Sequence, residues 1–153
     1  MNSASHQYVS DLSINANVNE VRNAAQWLLS CCRDFGVPDD QIARLDICLH
    51  ETLANIISHG GPTSLSSNIF LGFEGHLEQA IGEVAVTVID SGSAFDPSHT
   101  PVSPQAKTLA ETDPGGLGLV MIHGNSDSLA YSYSNGQNKL RFSIRWNTGA
   151  HNE

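Results

Sequence analysis

Positively charged side chains are scarce in this chain of 153 residues. Seven lysines and arginines stand against 16 aspartates and glutamates, which gives a formal net charge of −9 at pH 7. Binding to a nucleic-acid backbone needs clustered lysine and arginine, so direct nucleic-acid binding is excluded as the main activity. If the protein binds a phosphate ligand, backbone amides or a metal ion must supply much of the positive potential.

Cysteine pairs and long hydrophobic runs are also missing. The three cysteines form no Cys-x-x-Cys pair, and the seven histidines show no metal-ligand spacing, which favours a reduced cytosolic protein. The first residues lack the apolar core of a signal peptide, and no hydrophobic run approaches the length of a membrane span. We therefore expect a cytoplasmic protein that has no membrane partner.

Two long helices are predicted in the first half of the chain. Apolar residues recur at a helical period between Asn17, which resembles a cap, and Gly36, which resembles a stop. Pro38 and the acidic residues after it open a second helix that runs to about Ser58. A third, shorter helix follows the glycines near residue 116.

The remaining regular segments are predicted to be strands. They lie at 8–14, 68–74, 83–89, 129–134 and 139–146. We expect one turn around Glu74 to His76 and another near Asn135-Gly136. Residues 1–153 should therefore form a single α+β domain, with its core at about 8–146. The predicted architecture is a two-layer α/β sandwich, with about three helices on one face of a mixed, mostly antiparallel sheet.

A row of polar residues follows the second helix in the segment HETLANIISHGG. Glu51, Asn55 and His59 recur at a spacing of four, so they line up along the helix about one turn apart. On a helical wheel, Glu51 and Asn55 fall almost opposite the apolar stripe that begins at Ile42. Taken alone, such a row favours a solvated surface, and the alternative is the wall of a binding site.

Two later segments indicate a nucleotide site. Asp90 ends an apolar strand, and Gly92 follows it, so a carboxylate could accept a hydrogen bond from an exocyclic amine while a flat ring approaches the backbone. The same residues also suit an ordinary turn. Glycines 115, 116 and 118 precede a helix whose amides and positive end suit phosphates, although a flexible loop would look similar.

In this order and spacing, the three segments resemble motifs of the ATP-binding domain shared by gyrase, histidine kinases and related ATPases (the Bergerat fold). ETLANIISHG, DSGSAFDP and GGLGLVMIHGNSDSLAY are most similar to the boxes of its small single-domain branch. That branch comprises the serine/threonine kinases of bacterial partner-switching systems, which act as anti-sigma factors. The similarity extends from about residue 8 to residue 146.

The resemblance implies a role for each matched residue. Glu51 is expected to be the catalytic base, Asn55 the magnesium ligand, Asp90 the acceptor of the adenine amine, and Gly92 the glycine beside the ring. ATP and Mg²⁺ are the implied cofactors, and residues 96–114 correspond to the ATP lid. Further nucleotide contacts are expected from Lys107, Gly115, Gly116, Leu117 and Gly118.

Two positions depart from the family pattern. Many members carry an arginine just before the glycines, where it can meet the γ-phosphate, but this sequence has Asp113-Pro114 there. Lys107 is the only lysine or arginine between residues 93 and 120. Family members also usually have Gly-Thr in the final hairpin, with the threonine near adenine, whereas this chain reads Gly136-Gln137-Asn138.

The implied function is an ATP-dependent serine/threonine protein kinase that acts as an anti-sigma factor. Its expected partners are a small anti-sigma antagonist (anti-anti-sigma) protein, which it phosphorylates, a sigma factor, and a second copy of itself. The missing lid arginine favours an alternative, a nucleotide-loaded switch that binds a partner without phosphorylating it. A third interpretation of the sequence is the catalytic domain of a histidine kinase. The absence of a dimerisation helix and of a phospho-acceptor segment argues against it.

Overall fold

The computed structural model describes residues 5–59, 68–92 and 120–149. For His59 it describes the backbone and not the side chain. Two long helices, α1 (Val18–Phe35) and α2 (Asp39–His59), lie in the first half, and residues 120–124 form a further helical segment. The strands are β1 (Ser5–Asn15), β2 (Asn68–Glu78), β3 (Ile81–Asp90), β4 (Ser128–Ser134) and β5 (Gln137–Asn147).

The five strands form one sheet in the order β1-β2-β3-β5-β4. All four strand pairings are antiparallel, so the described sheet is more regular than the mixed sheet that was expected. Two hairpins, β2–β3 and β4–β5, impose this direction, and β1 and β2 are joined through two helices that return the chain beside its start. The predicted α+β class with two layers is confirmed.

Helix α1 begins and ends at the residues that the sequence indicates. The Asn17 side chain accepts a hydrogen bond from the Glu20 amide at 3.0 Å, which satisfies one of the free donors of the first turn. Gly36 adopts the left-handed conformation with φ of 91°, and its amide donates to the Cys32 carbonyl at 2.9 Å. Both predicted helix boundaries are therefore confirmed.

The turn between β2 and β3 lies later in the chain than predicted. β2 continues to Glu78, and Gln79, with φ of 58°, starts the turn. Gly75 suggested a turn, but it lies within the strand, where a Cβ atom would come within 2.9 Å of the Phe35 ring. This glycine therefore allows α1 to approach the sheet closely, and the predicted turn at Glu74 to His76 was wrong.

One face of the sheet and the facing sides of both helices form the core. In β5, Leu140, Phe142 and Ile144 are buried, as the alternating pattern predicts, but Ser143 on the other face is buried as well. The β4–β5 turn at Asn135 and Gly136 has positive φ at both residues, which confirms that predicted hairpin. Among the described residues, no helix combines the length and the apolar character needed to cross a membrane.

Candidate functional site

The buried stripe of α2 is wider than the helical wheel predicts. Besides the expected leucines, Cys48 is fully buried and Thr52 exposes 4% of its surface. The Thr52 hydroxyl is satisfied within the helix, because it donates to the Cys48 carbonyl at 2.7 Å. Glu51 and Asn55 lie beside this stripe, and each is half-buried.

The side of α2 that carries Cys48 contacts the helical segment at 120–124. The Cys48 thiol lies 3.7 Å from the Ile122 carbonyl oxygen, and Ile122 is fully buried. That segment directly follows the glycine motif in the chain. The contact therefore holds the start of the post-glycine helical segment against the helix that bears Glu51 and Asn55.

Asp90 is a buried carboxylate at the end of an apolar strand. Its side chain exposes 6%, and its Oδ1 accepts a hydrogen bond from the Gly92 amide at 2.7 Å. The β3 residues that share its face, Val84, Val86 and Val88, are all buried in the core. Burial of an ionised carboxylate is unfavourable unless it is hydrogen-bonded, so this network must compensate for lost hydration.

Asn138, which was not among the predicted site residues, lies opposite Asp90 on β5. Its Nδ2 is 3.3 Å from Asp90 Oδ1 and 3.3 Å from the Gly92 carbonyl, and it exposes 6%. The Tyr131 hydroxyl on β4 donates to the Asn138 Oδ1. In the sequence, Asn138 could be recognised only by its place in the final hairpin. It is paired with Asp90 by the register of β3 and β5, which are far apart in the chain.

An ion pair joins α2 to the residue that directly precedes β4. Arg44 on α2 makes two hydrogen bonds to the Asp127 carboxylate, at 2.9 and 3.3 Å. Asp127 also accepts from the Arg145 amide at 2.7 Å. The Arg44 guanidinium lowers the pKa of Asp127, and the carboxylate in turn raises the pKa of Arg44. This contact orients α2 relative to β4 and β5.

The predicted site residues fall into three groups. Asp90 and Gly92 are joined directly, and Glu51 and Asn55 share one side of α2. Within the described residues, no hydrogen bond or ion pair connects these two pairs. The predicted lid and phosphate contacts lie outside the described residues: the lid at 96–114, Lys107, Gly115, Gly116, Leu117 and Gly118.

The donor set suits a nucleotide with magnesium better than a metal held by protein alone. Residues 5–59, 68–92 and 120–149 contain no group of three or more histidine, cysteine, aspartate or glutamate side chains arranged to hold a metal ion. Asn55 and Glu51 supply hard oxygen atoms, which magnesium prefers, and magnesium ordinarily completes its shell with water and phosphate oxygens. These residues therefore fit a metal that arrives with a phosphate ligand.

A model of the histidine kinase-like ATPase domain matches residues 14–144, which includes both helices, strands β2, β3 and β4, the end of β1 and most of β5. The chain belongs to this family. A domain of this family implies ATP binding, typically with magnesium. The resemblance inferred from the three sequence motifs is therefore confirmed.

Two individual relatives share most of the domain. The serine/threonine-protein kinase BtrW of Bordetella bronchiseptica is 29% identical over 133 residues, which are 84% of this chain and 88% of that protein. The solved RsbU and RsbW domains of a Mycobacterium tuberculosis protein match 88% of this chain with a TM-score of 0.60 and 20% identity. This chain covers 32% of that solved chain, and the likeness shows a shared fold.

Proposed function

We propose that this histidine kinase-like ATPase domain is a serine/threonine protein kinase that uses ATP to control a bacterial partner-switching system. The observation that carries the proposal is the buried Asp90 carboxylate, held by the Gly92 amide and Asn138 at the end of an otherwise apolar strand. A carboxylate fixed in this way is suited to accept hydrogen bonds from an exocyclic amine such as that of adenine.

The phosphate end of the nucleotide is assigned to α2 and the glycine motif. Asn55 is the proposed protein ligand of magnesium, because its amide oxygen is a hard donor on a half-buried position of α2. Bound magnesium would neutralise part of the charge on the phosphates during transfer. Further positive potential is proposed to come from the backbone amides of the glycine motif and from Lys107.

Glu51 is the proposed general base, one helical turn from Asn55. Its carboxylate takes the proton from a serine or threonine hydroxyl of the substrate protein as the hydroxyl oxygen bonds to the γ-phosphorus. The bond between that phosphorus and the β–γ bridging oxygen breaks, and ADP leaves with the electron pair. Phosphoryl transfer depends mainly on positioning, which the fixed row on α2 supplies.

The proposed substrate is a small anti-sigma antagonist, and the proposed regulated partner is a sigma factor. The similarity to the kinase BtrW over most of both chains supports a protein substrate. A homodimer, a cytoplasmic location and the absence of a membrane partner remain part of the proposal. Phosphorylation of the antagonist would prevent it from competing for this domain, which would then hold the sigma factor.

A nucleotide-loaded binding switch is the second candidate function. Asp113-Pro114 stands where many related kinases carry an arginine that can meet the γ-phosphate. An arginine at this place stabilises the charge of the transferred group, so its replacement by an acidic residue would slow transfer more than binding. Under this alternative, ATP would control partner binding without being consumed.

Incubation of the purified domain with magnesium and γ-labelled ATP separates the two candidates. The test protein is the small antagonist-type protein encoded nearest to this domain, with its serines and threonines changed to alanine as the control. Transfer of label to the antagonist, lost in the alanine control, supports the kinase. ATP-dependent binding of the antagonist without transfer would favour the switch, and failure to bind ATP would overturn both.

A further inference from the structure

The orientation of the Asn138 side chain decides which hydrogen-bonding groups it turns toward Asp90. An asparagine amide has an acceptor oxygen and a donor nitrogen of nearly equal size, and its neighbours select between the two orientations. Asp90 Oδ1 and the Gly92 carbonyl can only accept, so they turn Nδ2 toward themselves, and the Tyr131 hydroxyl donates to Oδ1 on the other side and holds the amide in this orientation. The reversed amide would place its oxygen against a carboxylate oxygen and a carbonyl oxygen.

Tyr131 acts from outside the three sequence motifs. It lies on β4 opposite Leu140, half-buried, and it reaches Asn138 diagonally across the β4–β5 pair. Tyr133 is the residue directly opposite Asn138, yet it exposes 47% of its surface, and the bond to Asn138 comes from Tyr131. Tyr131 and Tyr133 therefore share a strand and a face but differ in burial, and it is Tyr131 that bonds to Asn138.

We propose that Tyr131 is a positioning residue that sets the purine selectivity of the site by orienting Asn138. This inference rests on the proposed function, in which Asp90 receives the adenine amine. The tyrosine would fix the amide, the amide would hold Asp90 Oδ1, and the carboxylate would present only acceptors to the base.

The selectivity follows from the donor and acceptor pattern of the two purines. Adenine carries an amine donor at the position where guanine carries a carbonyl acceptor. A site that presents only hydrogen-bond acceptors at this position attracts the adenine amine and repels the guanine carbonyl. If the Asn138 amide is free to move, the loss of Nδ2 from Asp90 Oδ1 loosens the carboxylate that holds adenine, and ATP loses more affinity than GTP.

The first test measures ATP and GTP affinities of the parent protein and of Tyr131→Phe by calorimetry with magnesium. Removal of one hydrogen bond should lower the ratio of ATP to GTP affinity by about threefold to tenfold. Tyr133→Phe is the matched control, because it removes a hydroxyl from the same face of the same strand, and its ratio should equal that of the parent. An unchanged ratio in a folded Tyr131→Phe protein would overturn the inference.

The second test is a double-mutant cycle with Asn138→Thr, which replaces the amide by a hydroxyl. Threonine has no amide to orient, so Tyr131→Phe should leave the purine ratio of Asn138→Thr unchanged within about twofold. If the tyrosine has only a structural role, its removal should change the ratio equally in both backgrounds, and that outcome contradicts the inference.

A measurement on the unmodified protein covers the case in which Tyr131→Phe does not fold. The Nδ2 proton signals of Asn138, identified by their absence in Asn138→Thr, should exchange with solvent at least tenfold more slowly than those of an exposed asparagine amide. Exchange at the exposed rate would contradict the hydrogen bonds from Nδ2 to Asp90 Oδ1 and the Gly92 carbonyl, and with them the fixed orientation of the amide. If the parent binds no ATP, the proposed function fails with the inference; ATP binding with an unchanged ratio overturns the inference alone.

Discussion

Asp90 and Asn138 meet across the β3–β5 pair, with Asn138 Nδ2 lying 3.3 Å from Asp90 Oδ1. Both side chains are nearly fully buried, and within the described part of the chain both hydrogen bonds to the Asp90 carboxylate end on Oδ1. The other oxygen is therefore the one that the proposed function assigns to a ligand.

Replacement of Asp90 by asparagine should weaken ATP binding by about tenfold while leaving GTP binding nearly unchanged. The variant exchanges a charged acceptor for a neutral amide, and hydrogen bonds to charged groups are roughly twice as strong. Calorimetric titration with both nucleotides measures the effect, and Asp11→Asn on the exposed face of β1 is the control. If Asp90 is only a turn residue, stability will change slightly and the purine preference will not change.

Asn55→Ala should remove the magnesium-dependent part of ATP binding. We expect at least a tenfold loss of affinity with magnesium present and a change within about twofold without it, because only the metal contact is deleted. Ser58→Ala, an exposed position on the same helix, serves as the control, and circular dichroism checks the fold. Equal magnesium–ATP affinity in the variant and the parent would refute the assignment.

The helices were the most predictable part of the fold, because their signals are local. Asn17 and Gly36 each act within a few residues of their position, so caps and stops could be read directly from the sequence. The β2–β3 turn was misplaced because Gly75 is explained by the Phe35 ring, which comes from a distant helix. Glycine as a packing residue and glycine as a turn residue look alike in a sequence.

The candidate site was predictable where one motif carries several residues. Asp90 and Gly92 are two positions apart and bond directly, and this bond forms the turn that the sequence suggested as the alternative. Asn138 and Tyr131 join this site through the register of three strands, which no local pattern specifies. The wider buried stripe of α2 was also missed, because Cys48 contacts Ile122 in the segment at 120–124, which is far away in the sequence.

The Arg44–Asp127 pair should stabilise the domain in a pH-dependent way. The guanidinium lowers the pKa of Asp127 below its ordinary value of 3.8, so the contribution is complete above that value and disappears as the pH falls through the folded-state pKa. Asp127→Asn should lower the free energy of unfolding by about 1 kcal/mol at pH 7, since both side chains are partly exposed.

Urea denaturation of Asp127→Asn, Arg44→Gln and the double variant measures this contribution. The two single changes should be non-additive at pH 7, because each removes the same pair. The difference between the parent and Asp127→Asn should shrink as the pH falls below 3.8. Additive effects, or a difference that persists in acid, would show that the pair does not act as described.

The three cysteines should be unreactive in the folded protein. All three are buried, and burial raises the pKa of Cys31 and raises that of Cys32 and Cys48 to about 12. Thiolate is the reactive form, so an aromatic disulfide reagent at pH 8 should modify fewer than about 0.1 thiols per chain within minutes. In denaturant, all three thiols should react. Rapid modification of a thiol in the native protein would contradict the packing around Cys48.

The central claim is that Glu51 accepts the proton of a substrate hydroxyl. Glu51→Gln keeps the size of the side chain but cannot take the proton, so ATP affinity should survive while phosphoryl transfer falls by roughly 10² to 10⁴. Asp40→Asn, in the first turn of the same helix, is the control and should change neither quantity by more than about twofold. Parallel loss of affinity and rate would instead indicate that Glu51 supports magnesium through water.

Single-turnover transfer from ATP to the antagonist, measured together with an ATP titration on the same Glu51→Gln preparation, is the most direct test. The account predicts nucleotide affinity within about twofold of the parent and transfer reduced at least a hundredfold. Transfer at the parental rate by Glu51→Gln would contradict the proposed mechanism.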